Sequence, residues 1–259
     1  MPYKKHAEKV GNISIKVLEE FGRITELWLH VLKDIYRGKT DLKLTLEQMV
    51  KIGIESLPLA LTTSAFVGMV FAVQIAGEFT KFGAGKYVGG VMAIAIAREL
   101  GPAITGIVVA ARVAAAITAE LGTMRVTEQI DAIKALGVSP VRYLVIPRFL
   151  ATIIVLPLLT VLTIITGFWG GYLVATYIGK INPVEYMENA QGLLVLWDVY
   201  GGLIKTAIFG MIIAIIACYK GLHTKGGAKG VGEATTSSVV TTLISLFVVN
   251  YFLSLLFFK

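Results

Sequence analysis

The chain of 259 residues is 56% hydrophobic and only 16% charged, with a mean hydropathy of +0.76; this balance excludes an ordinary soluble domain and points to an integral membrane protein. The formal charge of +7 fits a membrane surface better than nucleic acid, because the basic residues fall mostly between or before apolar runs and are not clustered around aromatics. The single cysteine, Cys218, sits in an apolar run, so an intrachain disulfide is excluded, and neither it nor the scattered His6, His30 and His223 suggests a metal site.

The N-terminal fifty residues are of mixed charge and lack a basic stretch, apolar core and cleavage site in series, so no cleaved signal peptide is expected. From Ile13 to Tyr36, Val17, Phe21, Ile24, Trp28, Val31 or Leu32, and Ile35 recur three or four residues apart, opposite Lys16, Glu19, Glu20, Arg23, Glu26 and Lys33. This spacing predicts one amphipathic helix, too charged to span a bilayer and suited to lie in its interface with Trp28 at headgroup depth. Residues 1–51 are assigned to this interfacial region and 52–259 to a transmembrane domain.

Five later runs reach the roughly 20 apolar residues that a spanning helix needs: 52–77, 88–121, 147–178, 199–219 and 239–258. Glu55 and Pro58 make the start of the first irregular and compatible with a re-entrant segment. The second and third exceed one straight crossing and are expected to tilt, or to kink at Pro102 and Pro157. Placing the N-terminus in the cytoplasm gives that side seventeen Lys and Arg against five opposite, with the C-terminus outside after five crossings. No internal repeat is visible.

Arg98 and Glu99 stand about ten residues into the second run, just before Gly101-Pro102. Ionisable groups at bilayer depth cost a few kcal/mol and must face protein, water or a polar ligand. Adjacent helical residues diverge by about 100°, so the two cannot pair along one face and each needs another partner. Two readings follow: a polar ligand cavity beside a proline kink, or structural ion pairs with a neighbouring helix, for which Glu78 and Gln74 are the candidates. Arg98, Thr105 and Arg112 are heptad-spaced on roughly one face. For Arg112 and Glu120 the alanine-rich surroundings favour helix packing.

The stretch from Gly122 to Pro140, GTMRVTEQIDAIKALGVSP, is the most polar between two runs. Thr127 is a candidate cap for a short helix with Glu128 and Asp131 in its first turn and Gly137 and Pro140 at its end. Such a helix either seats in a partner's groove or is an ordinary loop helix. The glycine-rich stretches HTKGGAKGVGEATTSS and FGAGK lack the GxxxxGK[ST] order and a preceding strand, so phosphate binding through a P-loop is not expected. No catalytic constellation is suggested by spacing.

ARELGPAITGIVVAARVAAAITAELGTMRVTEQIDAIKALGVSP, together with KGVGEATTSSVV near the end, closely resembles the MlaE family, the permeases of ABC systems that move lipids with MCE proteins. The resemblance covers about 52–258. It implies an all-α membrane permease with an N-terminal amphipathic helix, about five transmembrane helices and a short cytoplasmic coupling helix near 124–137. It further implies a homodimer in the inner membrane, two ATPase subunits that bind ATP and Mg in place of any cofactor in this chain, and an MCE-domain partner on the outer side, with phospholipid as cargo. By the same resemblance Arg98 and Glu99, with Gln74 and Glu78, belong to a lipid cavity. Arg125, Glu128, Asp131 and Lys134 belong to the ATPase contact, and the chain itself is no enzyme. The rival is a gradient-driven secondary transporter or channel in which Arg98, Glu99 and Glu120 line an ion path.

Overall fold

The computed structural model describes residues 2–38 and 40–259, with side chains described at position 15 and from 18 onward. The described residues form helices and no strand, and five helices are long and apolar enough to cross a membrane. In chain order they are α1 (Pro2–Tyr36), α2 (Leu42–Lys81), α3 (Gly85–Val126), α4 (Gln129–Ala135), α5 (Val141–Tyr177), α6 (Pro183–Leu193), α7 (Leu196–Leu222) and α8 (Gly227–Phe258).

Three of the starts are set by local chemistry. Asp41 caps α2 by accepting from the backbone N–H groups of Lys43 and Leu44, which satisfies donors that a helix start leaves orphaned. Asn182 does the same for α6 through Val184, ahead of Pro183 in the first helical position. Gly226 and Gly227, both at positive φ, turn the chain into α8.

α2 runs unbroken through Glu55 and Pro58, so the irregular, re-entrant start expected there is not found. A proline removes one helix hydrogen bond, and α2 tolerates the loss because it lies along α5 in the most extensive interface of the bundle. Small residues permit that contact: a Cβ on Gly68 would strike the carbonyl of Gly167, and one on Gly170 that of Ala65. Helices in lipid associate through such close backbone approach. α2 begins ten residues earlier than its apolar run and crosses the 51–52 position without interruption.

Contacts between positions offset by about one hundred residues run parallel in two pairs. Gly53 meets Val155 and Ser64 meets Thr163, joining α2 to α5; Gly202 meets Ala97, Phe209 meets Gly106 and Thr118 meets Ala217, joining α3 to α7. α8 runs antiparallel to α3, with Thr118 bonded to Ser238 near one end and Glu99 to Ser254 near the other. One end of the bundle carries α4 and the other α6. The core fills the α4 half with Val109, Leu121, Ile146, Phe149, Leu156, Phe209 and Ile213, while a smaller cluster around Met92, Ile96 and Tyr186 lies under α6.

The predicted N-terminal helix exists as α1; Val17 of its apolar stripe and Lys16 of the opposite face lie outside the described side chains. The remainder of the stripe divides. Ile24, Val31 and Ile35 pack on the core, joined by Leu27 from outside the predicted stripe, and Glu20 of the charged face pairs with Lys220 of α7. Phe21 and Trp28, with Ile24, line a groove of about 710 Å³ between α1, α7 and α8.

Candidate functional site

α3 departs from regular helix geometry at Ile96–Leu100 and again at Ala110–Ala114, each a wide turn of π type. Such turns insert one residue's worth of rotation and cluster at functional sites. The first directly precedes Pro102. The Gly101 N–H reaches back to the Ile96 carbonyl, and Pro102 has no N–H to offer the carbonyl four residues before it, that of Arg98. Lys205 of α7 supplies the missing donor, with its Nζ 3.0 Å from the Arg98 carbonyl oxygen. α7 comes this close because residue 202 is glycine; a Cβ there would meet the Ala97 carbonyl and stand 3.1 Å from the Pro102 ring.

The charges therefore meet a neighbouring helix. Arg98 donates from Nε to Oδ1 of Asp198 at 2.8 Å, while Oδ2 of Asp198 accepts the Val195 N–H at 3.0 Å. That carboxylate lies in the first turn of α7, where the positive end of the helix dipole favours it. Glu99 accepts from Lys205 at 2.9 Å and from Ser254 at 2.7 Å through Oε1, and from Asn250 at 3.2 Å through Oε2. Lys205 is fully buried and spends its three donors on the Arg98 carbonyl, Glu99 and Ser254. Gln74 and Glu78 are not among these partners: Glu78 pairs with Lys81 on its own helix, and Gln74 lies exposed on α2. Both expected partners of Arg98 and Glu99 are thus replaced by residues of α7 and α8.

This cluster keeps unspent hydrogen-bonding capacity. The Arg98 side chain is 33% exposed, and its Nη1 and Nη2 have no hydrogen-bond partner among the described residues. The Oδ1 of Asn250 is buried with no donor. No residue of the cluster lines the apolar groove, which starts further along α7 and α8 at Ile208 and Val249 and runs toward the α4 end past Ile212 and Ser245. Ile208 and Ile212 stand three and seven residues beyond Lys205, on the same helical face.

The other charged pairs tie α3 to α2 and α5, although Nε of Arg148 stays buried without a partner among the described residues. Arg112 pairs with Glu55 and donates to Ser56 on α2 at 3.1 Å, whereas Thr105 bonds Thr163 on α5 at 2.7 Å. The expected common face of Arg98, Thr105 and Arg112 is not found, since the wide turns rotate them toward α7, α5 and α2 in succession. Glu120 bridges Lys51 of α2 at 3.1 Å and Arg148 of α5 at 2.9 Å, and the Arg148 side chain is only 5% exposed.

At the α4 end the chain makes a tight corner. The short helix exists but spans seven residues, and Arg125 belongs to the last turn of α3. Thr127 closes α3, its N–H bonding the Thr123 carbonyl, so it does not cap α4. Glu128 stands outside the first turn of α4, in the left-handed region at φ 61. Arg125 shares Nη1 between both carboxylate oxygens of Asp131, at 2.7 and 2.8 Å, and Lys134 adds a longer contact at 3.5 Å. The Arg125 hydrogen bond holds the Asp131 carboxyl below its ordinary range. Gly137 at φ 78 ends the helix as expected, whereas Pro140 stands at the start of α5. Ile130 is buried and Leu136 is 81% exposed.

Asp198, Lys205, Asn250 and Ser254 were missed by sequence reasoning. Lys205 had a visible signal, an ammonium within the apolar run 199–219, which by itself marks a position requiring a partner. Asp198 and Ser254 carry none, because each lies near the edge of a run where polar residues are common.

Comparison with known proteins agrees with this architecture. The family model described as Permease MlaE matches residues 45–256. A probable ABC transporter permease protein of Synechocystis is 47% identical over 234 residues, covering 90% of this chain and 88% of that protein. One from Rickettsia felis is 42% identical over 253 residues and covers 98% of both. The chloroplastic protein TRIGALACTOSYLDIACYLGLYCEROL 1 of Arabidopsis thaliana is 43% identical over 229 residues, covering 88% of this chain and 65% of that protein. With most of its length matched at this level, the chain belongs to the MlaE family and is a multi-pass ABC transporter permease.

Proposed function

We propose that this permease moves phospholipid between the inner membrane and an MCE-domain partner. It would act as a homodimer, powered by separate ATPase subunits that bind ATP and Mg. The observation that carries the reading is an uncommitted cation at membrane depth: Arg98 keeps two nitrogens without a partner among the described residues. Further along the same two helices, from Ile208 and Val249 onward, runs a separate groove whose walls are almost wholly apolar. A phospholipid requires the same pairing, a few fixed polar groups for its phosphate and a greasy channel for its tails. Nη1 and Nη2 of Arg98 present a planar fork suited to two phosphate oxygens, while Glu99 and Lys205 neutralise each other beside it.

The name of the Arabidopsis relative refers to a galactosylated diacylglycerol, which is consistent with a lipid cargo. In this reading α4 seats on the ATPase through Glu128, Asp131, Lys134 and the exposed Leu136, and the Arg125–Asp131 pair fixes its angle to α3. The α4 end is cytoplasmic, in keeping with the excess of Lys and Arg there, and the α6 end faces the outer compartment.

The test is Arg98→Gln in the reconstituted permease–ATPase–MCE complex. The amide keeps a donor for Asp198 and removes the charged fork. Since charge-assisted hydrogen bonds are worth about 1.5–3 kcal/mol, copurifying phospholipid and transport should fall about tenfold or more. Unchanged lipid occupancy and transport would refute the headgroup assignment.

A further inference from the structure

The last turn of α8 covers the polar cluster. The ring of Phe258 lies over both cations, 5.0 Å from the Arg98 guanidinium carbon and 5.5 Å from the Lys205 ammonium. Two features hold it there. Position 201 is glycine, and a Cβ at that site would come within 2.8 Å of the Phe258 ring, so the ring is seated on the bare backbone of α7. One residue earlier, Trp197 Nε1 donates to the Phe257 carbonyl at 3.0 Å, with the Trp197 and Phe257 rings edge to face.

We propose that Phe258 is a positioning residue that shields Arg98 and Lys205 and must swing aside before a phosphate group reaches the uncommitted edge of Arg98. The inference rests on the headgroup reading above. An aromatic face attracts a cation through its quadrupole, so the ring holds Arg98 against Asp198 while the site is empty. A bound phosphate offers the edge of the same guanidinium stronger, charge-assisted bonds, and turning that edge fully toward the ligand draws the guanidinium out from under the ring. Its peripheral seat, set by a glycine and one hydrogen bond, makes opening a local event that leaves the bundle intact.

The experiment uses the full chain in lipid nanodiscs and follows exchange of tail-labelled phosphatidylglycerol onto the protein. Phe258→Ala should speed association and release about three- to tenfold, the range set by one cation–π contact of about 1 kcal/mol. Phe258→Tyr, which retains an aromatic face, should exchange as the parent does. Trp197→Phe breaks the latch but keeps the ring, so it tests the same gate without truncating Phe258, and should speed exchange about threefold. Arg98→Gln should abolish specific exchange in every background. If Arg98→Gln abolishes exchange while Phe258→Ala leaves its rate unaltered, the shielding role is overturned and the headgroup reading stands. If Phe258→Tyr exchanges as fast as the alanine variant, an aromatic shield is likewise overturned. If Arg98→Gln exchanges normally, both fall. Inorganic phosphate at millimolar concentration should leave exchange unaffected, because it has no tails for the groove; displacement by it would assign the site to free phosphate and overturn the lipid gate.

Discussion

Two charged regions share this bundle and differ in how exposed their unspent donors are. At the α4 end, Glu120 is spent on Lys51 and Arg148, and Asp131 on Arg125 and Lys134; the nearly buried Arg148 also donates to the Leu144 carbonyl. At the α6 end, Arg98 gives a single nitrogen to Asp198 and keeps two, and Asn250 keeps an acceptor. Neither the presence of a buried cation nor leftover hydrogen-bonding capacity separates structural charge from ligand-facing charge, because both regions hold buried cations and Arg148 Nε is also without a partner among the described residues. What differs is access: the open nitrogens of Arg98 belong to a side chain 33% exposed, against 5% for Arg148.

The sharpest way to break this distinction is to make one substitution in both places. Arg148→Gln should lower thermal stability in detergent by about 2–3 kcal/mol, since the buried Leu144 carbonyl and Glu120 lose a charge-assisted donor while Glu120 keeps Lys51, and should leave lipid affinity of the surviving folded fraction unchanged. Arg98→Gln should cost about 1 kcal/mol or less in stability while reducing bound lipid. If the two substitutions cost the same stability, the division between a packed and an open cluster fails.

A smaller effect tests the stand-in role of Lys205. Lys205→Met should destabilise by about 2 kcal/mol, because the Arg98 carbonyl and Glu99 lose a buried donor. In a Pro102→Ala background residue 102 regains an N–H that the Arg98 carbonyl can accept, so the same substitution should cost about 1 kcal/mol less. A double-mutant cycle read by thermal unfolding checks this, and strict additivity would remove the proline from the account.

The smallest effect belongs to the corner at α4. Asp131 is held below its ordinary range chiefly by Arg125. A carboxyl with a depressed folded pKa contributes stability that is fully present above its unfolded value near 4 and is lost as the pH falls through the lower folded value. Hydrogen exchange at 128–136 should therefore be flat from pH 7 to 5 after correction for intrinsic rates, and rise only below about pH 4. Asp131→Asn should remove that acid transition, and loosening near neutral pH would contradict the assignment.

The architecture was legible because it depends on long apolar runs, which composition and length reveal. The five spanning helices, the N-terminal helix and the short helix between the second and third spans all follow from periodicity and charge placement. Helix ends were less legible. α2 extends back to Leu42 through residues too polar to count as a span, because Asp41 caps it and Lys51 finds Glu120. Arg98 and Glu99 stood out as charges in an apolar run, yet their partners lie between 100 and 155 residues away, a separation that no local spacing encodes. The sequence places Arg98 well inside the second run. The structure sets it beside the first turn of α7, because α6 occupies the space next to the first turns of α3, with Gly89 against Tyr186 and Gly90 against Leu193. The wide turns of α3 had no counterpart in the heptad reading, and they sent Thr105 and Arg112 to different neighbours.

The missing N–H at Pro102 of α3 has a mechanical corollary. An amide that closes a helix from within travels with its own chain, whereas an ammonium on a neighbouring helix can be withdrawn. Because the Arg98 carbonyl depends on Lys205, sliding α7 past α3 by more than a bond length would strand an acceptor in a dry place. Any stroke delivered to these two parallel helices must therefore carry them together, so that they move as a single piston with the headgroup site riding between them.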